Sequence, residues 1–538
     1  MKRAISLLTL AAAGSVTGAT AQKVAKADKQ PNVLFVIFDD LRPELACYGE
    51  KHMKTPNIDA VAKEGVVFSR AYVQQAVSAA TRASFLTGCY PNTTGVDYPY
   101  SVYFVETFLP SHNSLPVQMF ENGYYSRTLG KVHHGIKEDL SEKHFTPKTA
   151  SSNYALPENI AVENDRTLAP PFECADVPDN AYRDGVICDA AIETIKGFKN
   201  NTKGKPFFLA VGFQKPHLPF AAPKKYYDMY DPATLPLSPN PQHTTDSNEY
   251  SEAHHGLPKW AGEADKNGHI VSDARQRELR HAYFACVSFV DAQLGRIISE
   301  LKAQGLYDNT IVVMIGDHGW HLGDNGMYGK STNFERATRT PLIVRLPDKN
   351  AAKGVKCNAL VEFVDIYPSI CQAAGVAVPG FVEGTSFVPL MYNPQKEWKP
   401  AAFSQFPRYA NVEGFSVRTN DYRYTEWRDT VQKKTVAVEL YDHRSDPYEA
   451  VNIAGKNPET VKKMATILAD GWRKALPRGG VNKSNNPLAP PFVGWGPESK
   501  KVEKEQQQQK KNGKKQGNDV GITGFESLMK EARRDTKI

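Results

Sequence analysis

Several apolar runs in this chain end abruptly in polar or charged residues. The first, PNVLFVIFDD at 31–40, is typical of a buried parallel strand that delivers two acidic side chains at its carboxyl end. The same change recurs in GYYSRTLGKVHHG (123–135), KPFFLAVGFQKPH (205–217) and NTIVVMIGDHGW (309–320). These runs predict strands that end in clusters of polar side chains.

Helical patterns alternate with the strands. TPNIDAVAKEG (55–65) predicts a helix that ends at a glycine, VVFSRAYV (66–73) predicts a strand, and residues 275–305 show a helical period. This alternation predicts an α/β fold, with a mixed or parallel sheet sandwiched by helices. Ligands of such sheets bind beyond the carboxyl ends of the strands, which is where the polar clusters fall.

The pattern changes after residue 384. The next segments alternate like antiparallel strands, and ETVKKMATILADGWRKAL (459–476) predicts a helix that packs on them. We therefore predict a large N-terminal α/β domain at 28–384 and a smaller C-terminal α+β domain with an antiparallel sheet at 385–490. The lysine- and glutamine-rich stretch 500–538 is predicted to be a charged low-complexity tail.

The first residues resemble a secretion signal. MKRAISLLTLAAAGSVTGATAQ has a basic start, a short apolar run and small residues, which predicts a signal peptide at 1–21 and a periplasmic or extracellular location in a bacterium. No later run is apolar for long enough to span a membrane. The seven cysteines leave two alternatives open, a Cys174–Cys188 disulfide or scattered buried thiols.

The net charge of +7 does not predict nucleic-acid binding. Lys2 and Arg3 lie in the signal peptide, and the tail holds 11 Lys and Arg against 6 Asp and Glu, which leaves residues 4–499 neutral overall. Any anion bound by the folded part must therefore be held by a local cluster of charges. Either a monomer or a homodimer is compatible with this composition.

Acidic residues and a histidine stand at two of the predicted strand ends. Asp39 and Asp40 end the first strand, and Asp317 and His318 end the last. An isolated pair of aspartates is most often a solvated turn, but two such groups at strand ends favour a metal site. Ligands rich in oxygen suit Ca²⁺ or Mg²⁺ better than Zn²⁺.

Basic residues accumulate along the same segments. Six of them are candidates for one anion pocket beside the metal: Arg82, Lys131, His134, Lys215, His217 and Lys330. Each alone is more typical of a solvated surface. Ser78 opens a predicted helix that ends at Gly88, and its hydroxyl is either an N-cap or a nucleophile.

The segment SAATR at 78–82, followed by ASFLTGCYP, resembles the signature of the type I sulfatases of the alkaline phosphatase superfamily. The blocks DDLRPELACYG, GKVHHG, VGFQKPHLPF, GDHGWHLGDNGMYGKSTNFERATRTPLIV, FSVRTNDYRYTEW and ELYDHRSDPYEAVN are similar to those of the iduronate 2-sulfatase branch. The resemblance runs from about residue 30 to about residue 475. It implies an alkaline-phosphatase-like fold and the hydrolysis of sulfate esters.

The resemblance also implies the chemistry at Ser78. This residue would be oxidised to formylglycine by a maturase, and the aldehyde would be hydrated to a geminal diol. One hydroxyl would attack sulfur and the other would later expel sulfate. One Ca²⁺ would be bound by the modified Ser78 together with Asp39, Asp40, Asp317 and His318.

The basic residues receive roles by the same resemblance. Lys131 and Lys330 would hold the sulfate oxygens, and Arg82 would hold the hydrate. His134 and His217 would be the active-site histidines, in proton-transfer roles that the spacing does not assign. The predicted substrate-binding residues are then Lys131, Lys215, His217 and Lys330.

Four positions depart from the usual pattern of the family. Ala80 and Thr81 replace the usual Pro and Ser, which is compatible with the serine-type motif of bacterial sulfatases that a radical enzyme matures. His133 replaces an aromatic residue, and Asn325 stands where many relatives carry histidine.

The predicted substrate is a sulfated oligosaccharide, foremost the 2-O-sulfate of a uronic acid in glycosaminoglycan fragments. Sulfated algal polysaccharides of the ulvan or carrageenan type are an alternative, since a shared catalytic core does not fix the sugar. Two further alternatives are a phosphatase or phosphodiesterase that uses unmodified Ser78 and an inactive glycan-binding relative.

Overall fold

The computed structural model describes residues 30–96, 112–134, 152–253, 257, 260, 272–408 and 411–477. The predicted signal peptide and low-complexity tail lie outside these residues. Among the helices of the described part, none combines the length and the apolar character that a membrane span requires.

The strands of the described part are, in chain order, β1 (Asn32–Asp39), β2 (Val66–Tyr72), β3 (Tyr125–Gly130), β4 (Phe172–Ala175), β5 (Phe207–Pro216), β6 (Phe220–Pro223), β7 (Thr310–Gly316), β8 (His321–Leu322), β9 (Tyr328–Gly329), β10 (Leu342–Arg345), β11 (Val355–Glu362), β12 (Ala402–Pro407), β13 (Val412–Arg418), β14 (Tyr422–Asp429) and β15 (Lys434–Asp442). The strands predicted in the five N-terminal segments are confirmed as β1, β2, β3, β5 and β7.

The α-helices are α1 (Pro56–Lys63), α2 (Ser78–Thr87), α3 (Pro91–Thr94), α4 (Leu115–Glu121), α5 (Pro157–Ile160), α6 (Arg183–Asn201), α7 (Lys224–Tyr227), α8 (Asp273–Ala303), α9 (Glu335–Thr338), α10 (Ile366–Ala373), α11 (Val388–Tyr392) and α12 (Pro458–Asp470). The side chain of Ser272 caps α8 by accepting from the Arg275 amide, and Pro56 occupies the first turn of α1. These signals confirm the two N-terminal helices predicted from periodicity.

The larger sheet has seven strands, in the order β11-β2-β10-β7-β1-β5-β3. Strand β10 runs antiparallel to both of its neighbours, and the other pairings are parallel. The sheet is therefore mixed, and the predicted fold class is confirmed. The carboxyl ends of β1, β3, β5 and β7 meet at one edge.

Side chains of β1 alternate between two hydrophobic cores. Leu34 and Val36 pack on one face with residues of α1, α6 and α8, whereas Val33 and Phe35 pack on the other with residues of α2, α4 and α10. This alternation follows from the two-residue period of a strand. Helices cover both faces, which explains why β1 is apolar almost throughout.

A second, antiparallel sheet lies toward the C-terminus, in the order β12-β13-β14-β15. Met464 and Leu468 of α12 pack into the same core as Phe415 and Leu440 of this sheet. The helix ends at Asp470, before the predicted end at 476. The predicted domain boundary at 384–385 lies in the connection between α10 and α11.

All seven cysteines are free thiols. Cys188 is buried on α6, where its Sγ contacts the Gln293 carbonyl oxygen at 3.4 Å, while Cys174 is exposed. The Cys174–Cys188 disulfide is therefore not formed. Burial raises the pKa of the Cys188 thiol to about 12, so this group is unreactive at neutral pH.

Candidate active site

Two adjacent carboxylates at the end of β1 reach one site because the backbone leaves the strand between them. Neighbours in a strand point to opposite faces, but Asp40 has a positive φ of 62°. The Asp40 amide donates to Asp317 Oδ1 at 2.9 Å, and the Asp317 amide donates to the Phe38 carbonyl at 2.9 Å. These bonds tie the carboxyl ends of β1 and β7 together.

Four buried side chains form a cluster of candidate metal ligands. One ligand atom from each residue lies within 4.8 Å of the others, in the set Asp39, Asp40, Asp317 and His318. Asp40 Oδ2 is buried and makes no hydrogen bond within the described part of the chain. Three carboxylates, an imidazole and an orphaned buried oxygen fit a hard divalent cation. We call this group the strand-end cluster.

Ser78 is the first residue of α2, but its hydroxyl does not cap the helix. Val77 is the N-cap residue. Ser78 Oγ donates to Asp39 Oδ1 at 2.9 Å and lies 3.1 Å from His318 Nε2. The N-cap alternative is therefore wrong, and the hydroxyl lies among the candidate metal ligands.

Arg82 lies one turn further along α2 and joins three strand ends. Its Nε donates to Asp317 Oδ2 at 3.1 Å, its Nη2 lies 3.5 Å from Asp39 Oδ1, and its Nη1 donates to the Lys131 carbonyl. Residues four apart share one face of a helix. The spacing of Ser78 and Arg82 therefore directs both side chains to the cluster.

Lys131 reaches the cluster because β3 and β5 approach closely beyond their paired residues. The Lys131 amide donates to the Gly212 carbonyl at 2.8 Å. A Cβ atom at Gly212 would lie 2.0 Å from the Lys131 carbonyl oxygen, so only glycine fits there. The Lys131 ammonium group forms an ion pair with Asp39.

Lys330 and His217 lie beside Asp40, and the charges of Lys131 and Asp39 act on His134. Lys330 Nζ lies 2.5 Å from Asp40 Oδ1 and 5.5 Å from the centre of the Trp320 ring. His217 Nε2 lies 3.9 Å from Asp40 Oδ2. His134 follows β3, and its buried Nδ1 makes no hydrogen bond to any described residue.

The structure places the ammonium group of Lys215 against backbone carbonyls rather than against the strand-end cluster. Its Nζ donates to the carbonyl oxygens of His217 at 3.1 Å and Pro219 at 2.5 Å. The side chain is only 4% exposed. The ammonium group is therefore bound by the backbone and lies apart from the contacts that Lys131 and Lys330 make with the cluster.

The three carboxylates of the strand-end cluster face three cations, Arg82, Lys131 and Lys330, but burial still dominates the pKa of two of the carboxylates. Burial raises the pKa of Asp40 to about 7 despite Lys330, and it raises the pKa of Asp317 to about 6 with a further contribution from Asp39. For Asp39, Lys131 and other cations outweigh burial and hold the pKa well below its usual range. A divalent cation would favour the ionised form of Asp40 and Asp317.

Sequence reasoning missed residues that hold the cluster by its backbone. Thr81 Oγ1 donates to the Asp317 carbonyl at 2.8 Å, and the Tyr283 hydroxyl donates to the Asp40 carbonyl at 2.7 Å. Thr81 lies inside the SAATR motif, so its place in the sequence indicated that it would lie near the site. Tyr283 lies within α8, where nothing local distinguishes it from a core residue.

Asn325, which departs from the family pattern, has a structural role. Its φ is 52°, and its Nδ2 donates to Thr244 Oγ1 at 3.1 Å and to the carbonyls of Tyr448 at 3.1 Å and Glu449 at 3.2 Å. The side chain therefore joins the loop before Lys330 to the C-terminal region.

A mixed sheet with a buried serine, an acidic cluster and several cations at its carboxyl edge defines a hydrolase of the alkaline-phosphatase-like fold, acting on an anionic ester. The chain matches the sulfatase family model over residues 31–376, and the model for the N-sulphoglucosamine sulphohydrolase C-terminal region over residues 323–472. The chain thus belongs to the sulfatase family and is a sulfuric ester hydrolase acting on sulfated saccharides.

Individual relatives agree with this assignment. Iduronate 2-sulfatase of Mus musculus is 34% identical, over 78% of this chain and 90% of the relative. An ulvan-active sulfatase of Formosa agariphila is 29% identical, over 79% of this chain and 78% of the relative. A solved structure in complex with its substrate D-glucosamine-2-N,6-O-disulfate has a similar fold, with a TM-score of 0.67 at 22% identity over 82% of this chain and 97% of that chain.

Proposed function

We propose that this enzyme removes the 2-O-sulfate group of a uronic acid, foremost iduronate, from glycosaminoglycan oligosaccharides. The observation that carries the proposal is the position of Ser78 Oγ at the start of α2, 2.9 Å from Asp39 Oδ1 within the strand-end cluster. The choice of sugar is supported by the similarity to the mouse iduronate 2-sulfatase. The proposal places the enzyme outside the bacterial cytoplasm.

The proposal includes a formylglycine made from Ser78 by a maturase and one Ca²⁺ held by Asp39, Asp40, Asp317, His318 and the modified residue. The hydrated formylglycine would supply one hydroxyl as the nucleophile and a second hydroxyl for turnover. The Ca²⁺ would supply a Lewis acid for a sulfate oxygen. The carboxylate-rich ligand set and the orphaned oxygen of Asp40 support a hard cation at this position.

The basic residues supply the charge that an anionic ester requires. The ammonium groups of Lys131 and Lys330 form ion pairs with two different carboxylates of the cluster, Asp39 and Asp40 respectively. From there they would bind sulfate oxygens and stabilise the negative charge that grows on the leaving oxygen. Arg82 ties α2 to the ends of β1 and β7, because its guanidinium group binds Asp39 and Asp317.

The two histidines would transfer protons. Burial lowers the pKa of His134 to about 3, with a further effect of Lys131, and lowers that of His217 well below its usual range. Both imidazoles are therefore neutral at pH 7. His217 Nδ1 lies 2.6 Å from the Leu218 carbonyl oxygen, which only accepts, so Nδ1 carries the hydrogen and Nε2 is the basic nitrogen.

Ulvan oligosaccharides are the second candidate substrate, because the Formosa agariphila relative is described as ulvan-active. Both candidates contain sulfated sugars, and the same catalytic residues would serve either. The residues that select the sugar therefore decide between them.

The test combines the modification with the reaction. The Ser78 peptide is analysed by mass spectrometry after co-expression with an anaerobic maturase, and sulfate release is measured on 2-O-sulfated uronate disaccharides, 6-O-sulfated glucosamine disaccharides and ulvan oligosaccharides. We expect the loss of two hydrogens at Ser78 and release from the uronate substrates. Release from ulvan alone would replace the proposed sugar, and cleavage of phosphate esters by the unmodified protein would overturn the mechanism.

A further inference from the structure

The segment that carries His217 is held from one side by a buried carboxylate. Asp184 lies in the first turn of α6 and is 1% exposed. Its Oδ1 accepts from the Gln214 amide at 2.8 Å, and its Oδ2 accepts from the Lys215 amide at 2.7 Å. Both carboxylate oxygens are therefore used to fix the end of β5.

The same segment is held from the other side by a buried ammonium group. Lys215 Nζ donates to the carbonyls of His217 and Pro219, at 3.1 Å and 2.5 Å. Burying a charge is costly unless it is compensated. The carboxylate of Asp184 supplies the nearby negative charge, and the two carbonyl dipoles supply hydrogen bonds.

These contacts leave His217 little freedom. Its amide donates to the Gln214 carbonyl at 2.9 Å, its carbonyl accepts from Lys215, and its Nδ1 donates to the Leu218 carbonyl at 2.6 Å. Its Nε2 remains on the side of Asp40, at 3.9 Å from Oδ2. Asp184 and Lys215 thus fix the backbone on both sides of the His217 imidazole. Their hydrogen bonds go to this backbone and not to the strand-end cluster.

We propose that Lys215 and Asp184 are positioning residues that orient the His217 imidazole and hold its Nε2 toward the reacting group. The inference rests on the proposed function of His217. It replaces the predicted contact between Lys215 and sulfate, because the hydrogen bonds of the ammonium group go to the backbone.

The kinetic test separates positioning from substrate binding. Lys215→Met removes the ammonium group and keeps most of the side-chain volume. We expect kcat to fall roughly 10–100-fold, because a displacement of about 1 Å in a catalytic group has effects of this size. The KM and the inhibition constant of inorganic sulfate should change less than about threefold, since uniform binding is retained. An increase in both constants with unchanged kcat would show that Lys215 binds sulfate and would overturn the inference.

Coupling to His217 provides the specific control. In a His217→Gln background, Lys215→Met should lower kcat less than about twofold further, because residues that act through one group are not additive. Full additivity would contradict positioning through His217. Lys215→Arg, which keeps the charge and the donors, should recover part of the lost kcat.

A measurement independent of turnover keeps this inference separate from the proposed function. In ¹⁵N-histidine-labelled protein, His217 should show the tautomer protonated at Nδ1, and Lys215→Met should broaden or shift that signal. An unchanged signal would overturn the inference even if the enzyme is a uronate sulfatase. An inactive wild type would overturn only the proposed function. If Lys215→Met does not fold, Asp184→Asn carries the same tests, since an asparagine accepts only one of the two amides.

Discussion

Two buried acidic clusters in this molecule have similar side chains but opposite electrostatics. The strand-end cluster lies at the carboxyl ends of β1 and β7. The second, which we call the junction cluster, brings Glu335 next to His443 and Glu449 near the C-terminal sheet, also with ligand atoms within 4.8 Å. Arg423 lies within it, 2.8 Å from Glu335 and 2.6 Å from Glu449.

The difference lies in how each cluster compensates its charge. At the junction cluster, burial opposes ionisation, but Arg418 and Arg423 outweigh burial and hold the pKa of Glu335 well below its usual range. Burial also opposes the ionisation of Glu449, but Arg423 and His443 lower the pKa of this carboxyl. At the strand-end cluster burial dominates for Asp40 and raises its pKa to about 7, whereas cations dominate for Asp39. Arginines keep the junction cluster ionised on their own, whereas the raised pKa and the orphaned oxygen of Asp40 favour a cation at the strand-end cluster.

The largest expected effect is on the nucleophile. Ser78→Ala should lower kcat for sulfate release by at least about 10⁴-fold, because no hydroxyl remains to attack sulfur. The matched control is Ser84→Ala in the same helix, which removes a buried hydroxyl that bonds no described residue. The control should retain activity within about threefold. Equal losses in the two variants, measured by sulfate release, would show that the effect is on folding.

Neutralising one carboxylate should separate function from stability at the strand-end cluster. Asp40→Asn should lower kcat by about 10²–10⁴-fold, because it removes a candidate ligand and the partner of Lys330. The melting temperature of the chelator-treated protein should stay constant or rise, because burial already disfavours the ionised Asp40 and a neutral amide costs less to bury there. A large drop in that temperature would mean that the cluster is compensated without a cation.

Breaking the junction cluster should have the opposite outcome. Arg423→Met should lower the free energy of unfolding by about 3–5 kcal/mol, because it leaves Glu335 and Glu449 buried with less compensation. The value is measured by denaturant unfolding. For protein that remains folded, kcat should change little. Loss of activity at full stability would place Arg423 in the reaction.

The sequence predicts contacts better when the residues are close along the chain or lie at the ends of neighbouring strands. The strand-end residues Asp39 and Asp317 were predictable, because strands that end at one edge of a sheet bring their next residues together. Ser78 and Arg82 were predictable from helical spacing. The conformation that aligns Asp40 with Asp39 was not, since an Asp-Asp pair does not reveal a positive φ.

The contacts of the junction cluster could not be predicted from the sequence, although its residues lie in blocks that resemble the family. Glu335 meets Arg423 across 88 positions and Glu449 across 114, and each residue alone is typical of a solvated surface. The contacts of Lys215 were not predictable for a related reason. Its place among the cations at the strand ends predicted a role in the anion pocket, and its hydrogen bonds to backbone carbonyls of its own turn carry no signal in the sequence.

The effect of burying a carboxyl group on stability can be tested by pH at a site away from the candidate cation site. Burial raises the pKa of Glu383 from its ordinary value near 4.5 to about 7. The carboxylate accepts from the Tyr90 amide at 2.7 Å and from the Thr93 hydroxyl at 2.8 Å. The folded state therefore binds more protons than the unfolded state between these pH values, so stability falls as pH rises from about 4.5 to 7.

The expected loss from Glu383 is about 2–3 kcal/mol over that interval. Glu383→Gln should reduce the slope of unfolding free energy against pH, because its amide oxygen still accepts from Tyr90 and its amide nitrogen can donate to Thr93. The measurement is denaturant unfolding at several pH values. An identical slope in the variant would show that Glu383 titrates in the same range in both states.

The smallest expected effect concerns two tryptophans, one beside the strand-end cluster and one in the C-terminal core. Trp320 presents its ring to Lys330 Nζ at 5.5 Å, and Trp472 stacks on Tyr90 at 5.1 Å. Trp320→Phe weakens a cation–π contact of about 0.5–1 kcal/mol, so KM should rise about two- to fivefold. Trp472→Phe should leave KM unchanged and lower the melting temperature, because it reduces packing only. If the two variants raise KM equally, the ring of Trp320 does not act through Lys330, and the lysine is held in place by the carboxylates of the cluster.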